Sequence, residues 1–205
     1  MQDSTQENTL RKLEEAEQLK LDGKYEVALE ILEQLLVEDP QNVSALEEVA
    51  DNELSLERYE RASAAATRAV ALDSQSYMGH YILGYLHCQY SRWEPAITEL
   101  KEANTLQPNN PEILRCLGWA LFSVGQRTQG IVTLERSLNL DPENSLTLCD
   151  LGAAYLKTHN VPKAKALLQH SLDLDPGNIR AFKCVQDAER MERQRRTSKQ
   201  RVRQG

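Results

Sequence analysis

The segments LDPEN (140–144) and LDPGN (174–178) are near copies, set 34 residues apart. Three more stand upstream at the same interval: EDPQN (38–42), LDSQS (72–76) and LQPNN (106–110). Pro40, Ser74, Pro108, Pro142 and Pro176 occupy equivalent places. A turn recurring on one clock is the mark of a stacked-repeat protein. Other positions keep the same time. Small residues recur at Ala16, Ala50, Gly84, Gly118 and Gly152, and again at Ala28, Ala62, Ala96, Gly130 and Ala164. Apolar residues recur at Leu32, Ala66, Leu100, Leu134 and Leu168, with no insertion or deletion from residue 9 to 178.

Each unit reads as two helices. Apolar residues within each half follow a spacing near 3.6, and a polar break interrupts them (LDGKY, LERYE, YSRWE, SVGQR, KTHNV). Asn42, Ser76, Asn110, Asn144 and Asn178 stand where each new unit begins, where their side chains can accept from a first-turn N–H. Pro95 and Pro162 fall in the first turn of second helices, where a missing donor costs little. The small residues let two helix axes approach closely.

Composition limits the function classes. The chain has 205 residues, 40% hydrophobic and 27% charged, with a net charge of −7. No apolar run is long enough to span a membrane, and the polar N-terminus has no signal-peptide pattern, so a cytoplasmic setting is expected. Cys88, Cys116, Cys149 and Cys184 lack chelating spacing and read as free thiols. Residues 190–205 carry +6 and the preceding 189 carry −13, an acidic body with a basic tail.

These residues resemble the tetratricopeptide repeat family, whose pattern is W-x2-L-G-x2-Y, A-x3-F, A, P. Leu148, Leu151-Gly152, Tyr155, Ala164, Leu168, Ser171 and Pro176 carry the resemblance in the fifth unit. Leu83-Gly84, Ala96, Leu100, Ala103 and Pro108 carry it in the third. The resemblance implies an all-α, right-handed superhelix of helix pairs whose first helices line a concave groove. Five repeats are expected at 9–42, 43–76, 77–110, 111–144 and 145–178, after a disordered 1–8. A capping helix is expected over 179–196, with Ile179, Phe182 and Val185 on one side, and a disordered basic tail over 197–205.

Mapped on the family's groove positions, the chain presents a graded surface. Glu14, Glu17, Glu47, Glu48 and Asp51, opposed by Lys20, form an acidic N-terminal part. Met78, Tyr81, Ile82, Tyr85, Cys88, Arg115, Trp119 and Phe122 form an aromatic centre, followed by Leu146, Cys149, Asp150, Ala153, Leu156 and Lys157. Aromatics on such a wall give large, rigid contact area, and the acids would favour basic partners. The expected role is a non-catalytic adaptor that binds a partner peptide or helix. The rivals are self-assembly and nucleic-acid association through the basic tail. The family's carboxylate clamp for chaperone C-termini is not matched: its positions hold Leu13, Glu17, Glu48, Met78 and Ile82, and one repeat later Glu47, Asp51, Ile82, Glu112 and Cys116.

No motif implies an enzyme, a metal or a cofactor. His80 and His87 lie two turns apart, about 10 Å by helical rise, too far to share one metal. His80 reads as a hydrogen-bonded packing residue. His87 is expected to pair with Glu53 of the preceding repeat, which holds the same repeat position.

Overall fold

The computed structural model describes the backbone from Gln2 to Gln204 and the side chains of residues 6–194. Among the described residues it holds eleven helices and no strand. They are α1 (Gln2–Leu21), α2 (Tyr25–Glu38), α3 (Val43–Ser55), α4 (Tyr59–Leu72), α5 (Tyr77–Gln89) and α6 (Trp93–Leu106). These are followed by α7 (Pro111–Ser123), α8 (Arg127–Leu140), α9 (Ser145–Lys157), α10 (Val161–Leu174) and α11 (Ile179–Gln204). The chain divides into two compact units, residues 1–108 and 109–205. Within each, a first helix packs on its own second helix and on the first helix of the next repeat. The fold is an all-α helical repeat.

Every helix-start expectation is met. Asn42 accepts from the Ala45 N–H, Ser76 from Gly79, Asn110 from Glu112 and Ile113, Asn144 from Thr147, and Asn178 from Ala181. Each such cap contributes about 1 kcal/mol by satisfying a donor that has no partner within the helix.

The break inside each repeat has its own period. Gly23, Glu57, Ser91, Gly125 and His159 all have positive φ, between 55° and 99°. Each follows the end of a first helix. The next residue's N–H reaches back to the last turn of that helix, as in Arg58 to the Glu53 carbonyl (2.8 Å), Arg92 to His87 (2.8 Å) and Asn160 to Tyr155 (2.9 Å). This is the left-handed C-terminal cap that glycine fills most cheaply. Only two of the five positions are glycine.

The small residues stand at the closest helix contacts. A Cβ added to Gly84 would lie 2.6 Å from the Leu100 Cγ, and one on Gly152 2.7 Å from the Leu168 Cγ. The fourth repeat is tightest. A Cβ on Gly130 would meet the Phe122 backbone nitrogen at 2.6 Å and the Gly118 carbonyl oxygen at 2.7 Å. Both obstacles are backbone of α7, which cannot rotate away. Two hydroxyls fasten the same layer: Ser137 donates to the Pro111 carbonyl and Ser171 to the Ser145 carbonyl, both at 2.8 Å.

The helices run past the expected ends. The backbone of residues 2–8 lies within α1 and that of 197–204 within α11. Neither stretch contains proline or glycine before Gly205, so no strong helix breaker stands in either. The side chains of the basic tail beyond Gln194 lie outside the described residues.

Gly130→Ala should lower stability by about 1–3 kcal/mol, since overpacking against backbone outweighs the helix propensity gained. A urea melt compared with wild type checks it. Glu57→Gly or Ser91→Gly should each raise stability by about 0.5–1 kcal/mol, the relief of a left-handed non-glycine residue less the added unfolded-state entropy. A thermal melt with an unchanged or lower midpoint would contradict this.

Candidate functional site

The sequence-derived aromatic centre divides between the two units. Met78, Tyr81, Tyr85 and Cys88 belong to the first. Their spacing of three, four and three places them along one stripe of α5. All four are half-buried. Met78, Tyr81 and Tyr85 rest on the core built by Leu32, Val49, Ile82 and Leu86. The Tyr81 and Tyr85 rings lie 6.4 Å apart at 51°, a tilted pair held against that core.

Arg115, Trp119 and Phe122 belong to the second unit. Phe122 departs from expectation: it is 4% exposed and is part of the core with Leu151, Tyr155 and Leu168. Its ring stacks on Trp119 at 6.0 Å and 19°, so it supports the indole from beneath rather than offering a surface. Helical spacing could not tell the two apart, because Phe122 faces the tight α7–α8 contact at Gly130. Among the other mapped positions, Ile82, Cys149, Asp150, Ala153 and Leu156 are buried, while Leu146 and Lys157 are exposed.

The acidic wall is partly neutralised from within. Lys20 bonds Glu48 at 2.8 Å and Asp51 at 2.9 Å, tying α1 to α3. Burial works against the charge on Lys20, but the two carboxylates outweigh it and its pKa rises. Glu47 is half-buried and accepts from the Ser76 hydroxyl at 2.6 Å. Burial raises its pKa against the pull of that bond. Glu14 and Glu17 remain exposed on α1. The first unit holds 21 acidic against nine basic residues, a net −12, and the second ten against fifteen, a net +5.

The second unit is organised about Asp150, 2% exposed on α9. It receives Arg115 of α7 at 3.1 Å and Arg180 of α11, joining three first helices through one carboxylate. Arg115 also bonds Glu112 at 2.8 Å. Arg180 lies over the Trp119 ring, 4.3 Å from its centre, and the Lys157 ammonium lies 5.1 Å from the same centre. The sequence reading passed over Arg180. The available signal was its place at the start of α11, equivalent to the groove position of Met78 in α5, in phase with the repeats.

The histidines separate as well. His80 sits between two acceptors, with Nδ1 2.7 Å from Glu99 and Nε2 3.3 Å from the Ser74 carbonyl. The pairing expected between His87 and Glu53 is not formed. Glu53 is fully buried and its carboxylate is held instead by Arg61 at 2.7 Å and Arg58 at 3.7 Å. Two guanidiniums carry fixed positive charge and outcompete an imidazole for a buried carboxylate. His87 lines a cleft with Tyr59, Glu60 and Leu83. None of the four cysteines is in a disulfide; burial pushes the thiol of Cys116 up to about 11 and that of Cys149 up to about 12, so both are protonated at neutral pH.

Residues 50–111 match the family model described as Tetratricopeptide repeat. Solved structures share the fold across most of the chain. A thermophilic tetratricopeptide repeat protein of Thermus thermophilus is 23% identical, with a TM-score of 0.67 over 87% of this chain and 97% of that one. YrrB, described as a tetratricopeptide repeat protein with an unusual peptide-binding site, is 20% identical, with a TM-score of 0.63 over 89% of this chain and 95% of that one. Pseudomonas aeruginosa pilF is 20% identical, with a TM-score of 0.71 over 89% of this chain and 83% of that one. No curated protein matches the chain. Among the described residues no helix is long and apolar enough to cross a membrane.

Asp150→Ala should cost about 3 kcal/mol, because it leaves the largely buried Arg115 and its neighbour Arg180 without their shared carboxylate. The α11 amides should exchange faster with deuterium than in wild type. Unchanged α11 protection would show that the carboxylate does not anchor the helix.

Proposed function

Because residues 50–111 match the tetratricopeptide repeat and the chain has the tetratricopeptide-repeat fold, we propose that the protein is a non-catalytic adaptor that holds a partner peptide or helix against its first helices. The fold is one generally used for protein–protein interaction, and this reading adds where contact is made. The observation that carries it is the α5 stripe of Met78, Tyr81, Tyr85 and Cys88. It offers aromatic and sulfur-bearing side chains, half-buried and braced on a core, so they lose little freedom on contact.

Partner polarity follows from the charge of the same unit. A net −12 over residues 1–108 attracts basic segments and speeds their encounter. At short range, Glu14 and Glu17 supply the exposed charge, since Glu48 and Asp51 already bind Lys20. The preferred ligand is a segment with apolar or aromatic side chains flanked by Lys or Arg. A cytoplasmic setting agrees with four cysteines that form no disulfide.

Tyr81→Ala with Tyr85→Ala should reduce capture of specific partners by at least about tenfold in a quantitative pull-down, made well below the lowered melting midpoint expected when two rings packed on the core are removed, where circular dichroism shows the variant folded. Glu14→Lys with Glu17→Lys should weaken basic partners selectively, more at low salt than at high salt. Identical partner profiles for wild type and the tyrosine variant would overturn the reading.

A further inference from the structure

We propose that the second unit carries a separate docking site for the acidic side chains of a peptide, centred on Trp119, Lys157 and Arg180. This goes beyond the α5 site, lies in the other unit and selects the opposite charge. It rests on the interaction-module reading of the fold but not on the α5 stripe.

The argument starts from where the positive charges stand. Arg180 is committed to Asp150 on one side, yet its side chain remains 46% exposed. Lys157 is exposed at the end of α9, and among the described residues no carboxylate pairs with it. Both cations lie over one indole, at 4.3 and 5.1 Å from its centre. The ring face attracts them and holds their positions. The indole is half-buried and supported by the stacked Phe122, so it is a rigid platform. The arrangement offers two preset cations beside an aromatic floor. A glutamate or aspartate fits the cations, and an adjacent apolar side chain fits the part of the indole that stays exposed beside them. The bound carboxylate would not displace Asp150, which is buried beneath Arg180 and also held by Arg115.

The features favour an acidic peptide over a nucleic acid. Two carboxylates, Glu112 and Asp150, stand in the same network and would repel a continuous phosphate backbone. A peptide with spaced acids avoids them. Phe122 is buried, so the site has one stacking platform where a single strand uses several.

The test uses the full chain with Trp93→Phe, leaving Trp119 as the sole tryptophan. The probe is a fluorescein-labelled peptide of alternating Glu and Leu, acetylated and amidated so that its only carboxylates are on side chains. Its Lys–Leu counterpart and a short oligothymidylate are the controls. Binding of the Glu–Leu peptide by anisotropy, with a change in Trp119 emission, is expected. Lys157→Glu should weaken it by at least about tenfold. That exposed lysine makes no ion pair among the described residues, but the variant loses its contact with the Trp119 ring, so binding is measured below the variant's own melting midpoint, with circular dichroism confirming the helical fold. Arg180→Ala should weaken it further, with the Asp150→Ala protein as the control for loosening of α11. The proposal is overturned if Lys157→Glu binds as wild type does, if the Lys–Leu peptide binds as tightly, or if the oligothymidylate binds and the Glu–Leu peptide does not. Failure of the α5 tyrosine variant to lose partners would leave this outcome unchanged, so the two readings fail separately.

Discussion

The approach of two helix axes within each repeat is the constraint on which the rest depends. It requires a residue without bulk at one point on each helix, and the chain meets this every 34 residues. Where both points are glycine, at Gly118 and Gly130, backbone meets backbone and even a methyl group has no room. In the second repeat the same positions hold Ala50 and Ala62, both fully buried. Because this contact recurs, every first helix is held at the same rotation against its second helix. That rotation decides which of its side chains meet the core and which face outward.

The site chemistry follows from it. A first helix fixed in rotation must send its small and aliphatic residues toward its partner. Tyr81 and Tyr85 then fall on a neighbouring stripe, half-buried at the margin of the core, and Trp119 does the same in α7. The first helices of adjacent repeats also meet each other, and here polar side chains are used. Lys20 reaches Glu48 and Asp51, and Arg115 and Arg180 reach Asp150. A buried pair of this kind is weak evidence for net stability, because desolvation offsets much of the attraction. It does fix register, since removing one partner strands a charge. The charged groups of the first-helix face therefore do two jobs, and only those left over are available to a ligand.

The fold was legible to an unusual degree because repetition turns five weak local signals into one strong one. The five caps, the turn positions and the small residues were readable as spacing alone. The left-handed residues at the mid-repeat turns were only half legible. Gly23 and Gly125 announce the conformation, while Glu57, Ser91 and His159 adopt it because the flanking helices impose it. The site was legible as a set of positions and not as a set of roles. Phe122 shares the spacing of a surface residue yet is buried, and Glu53 is held by two arginines that sequence spacing alone did not single out. Partner choice in an ion pair depends on distance across helices and on competing charges, which one-dimensional spacing does not encode.

By itself the sequence determined the number of helices per repeat, where each begins, and which residues sit at the axis-to-axis contact. It did so because hydrophobic period, cap chemistry and residue volume act over a few residues and recur in phase. Only the tertiary structure decided which acids remain unpaired, that Phe122 supports Trp119, and that Arg180 and Lys157 converge on one indole. The last outcome brings side chains of two helices, α11 and α9, to 4.3 and 5.1 Å from the centre of a ring carried by a third, α7. The second turns on two residues of α7, of which Phe122 is buried and Trp119 only half-buried. Packing of one helix against the next sets such distances, and no local rule of the chain contains them.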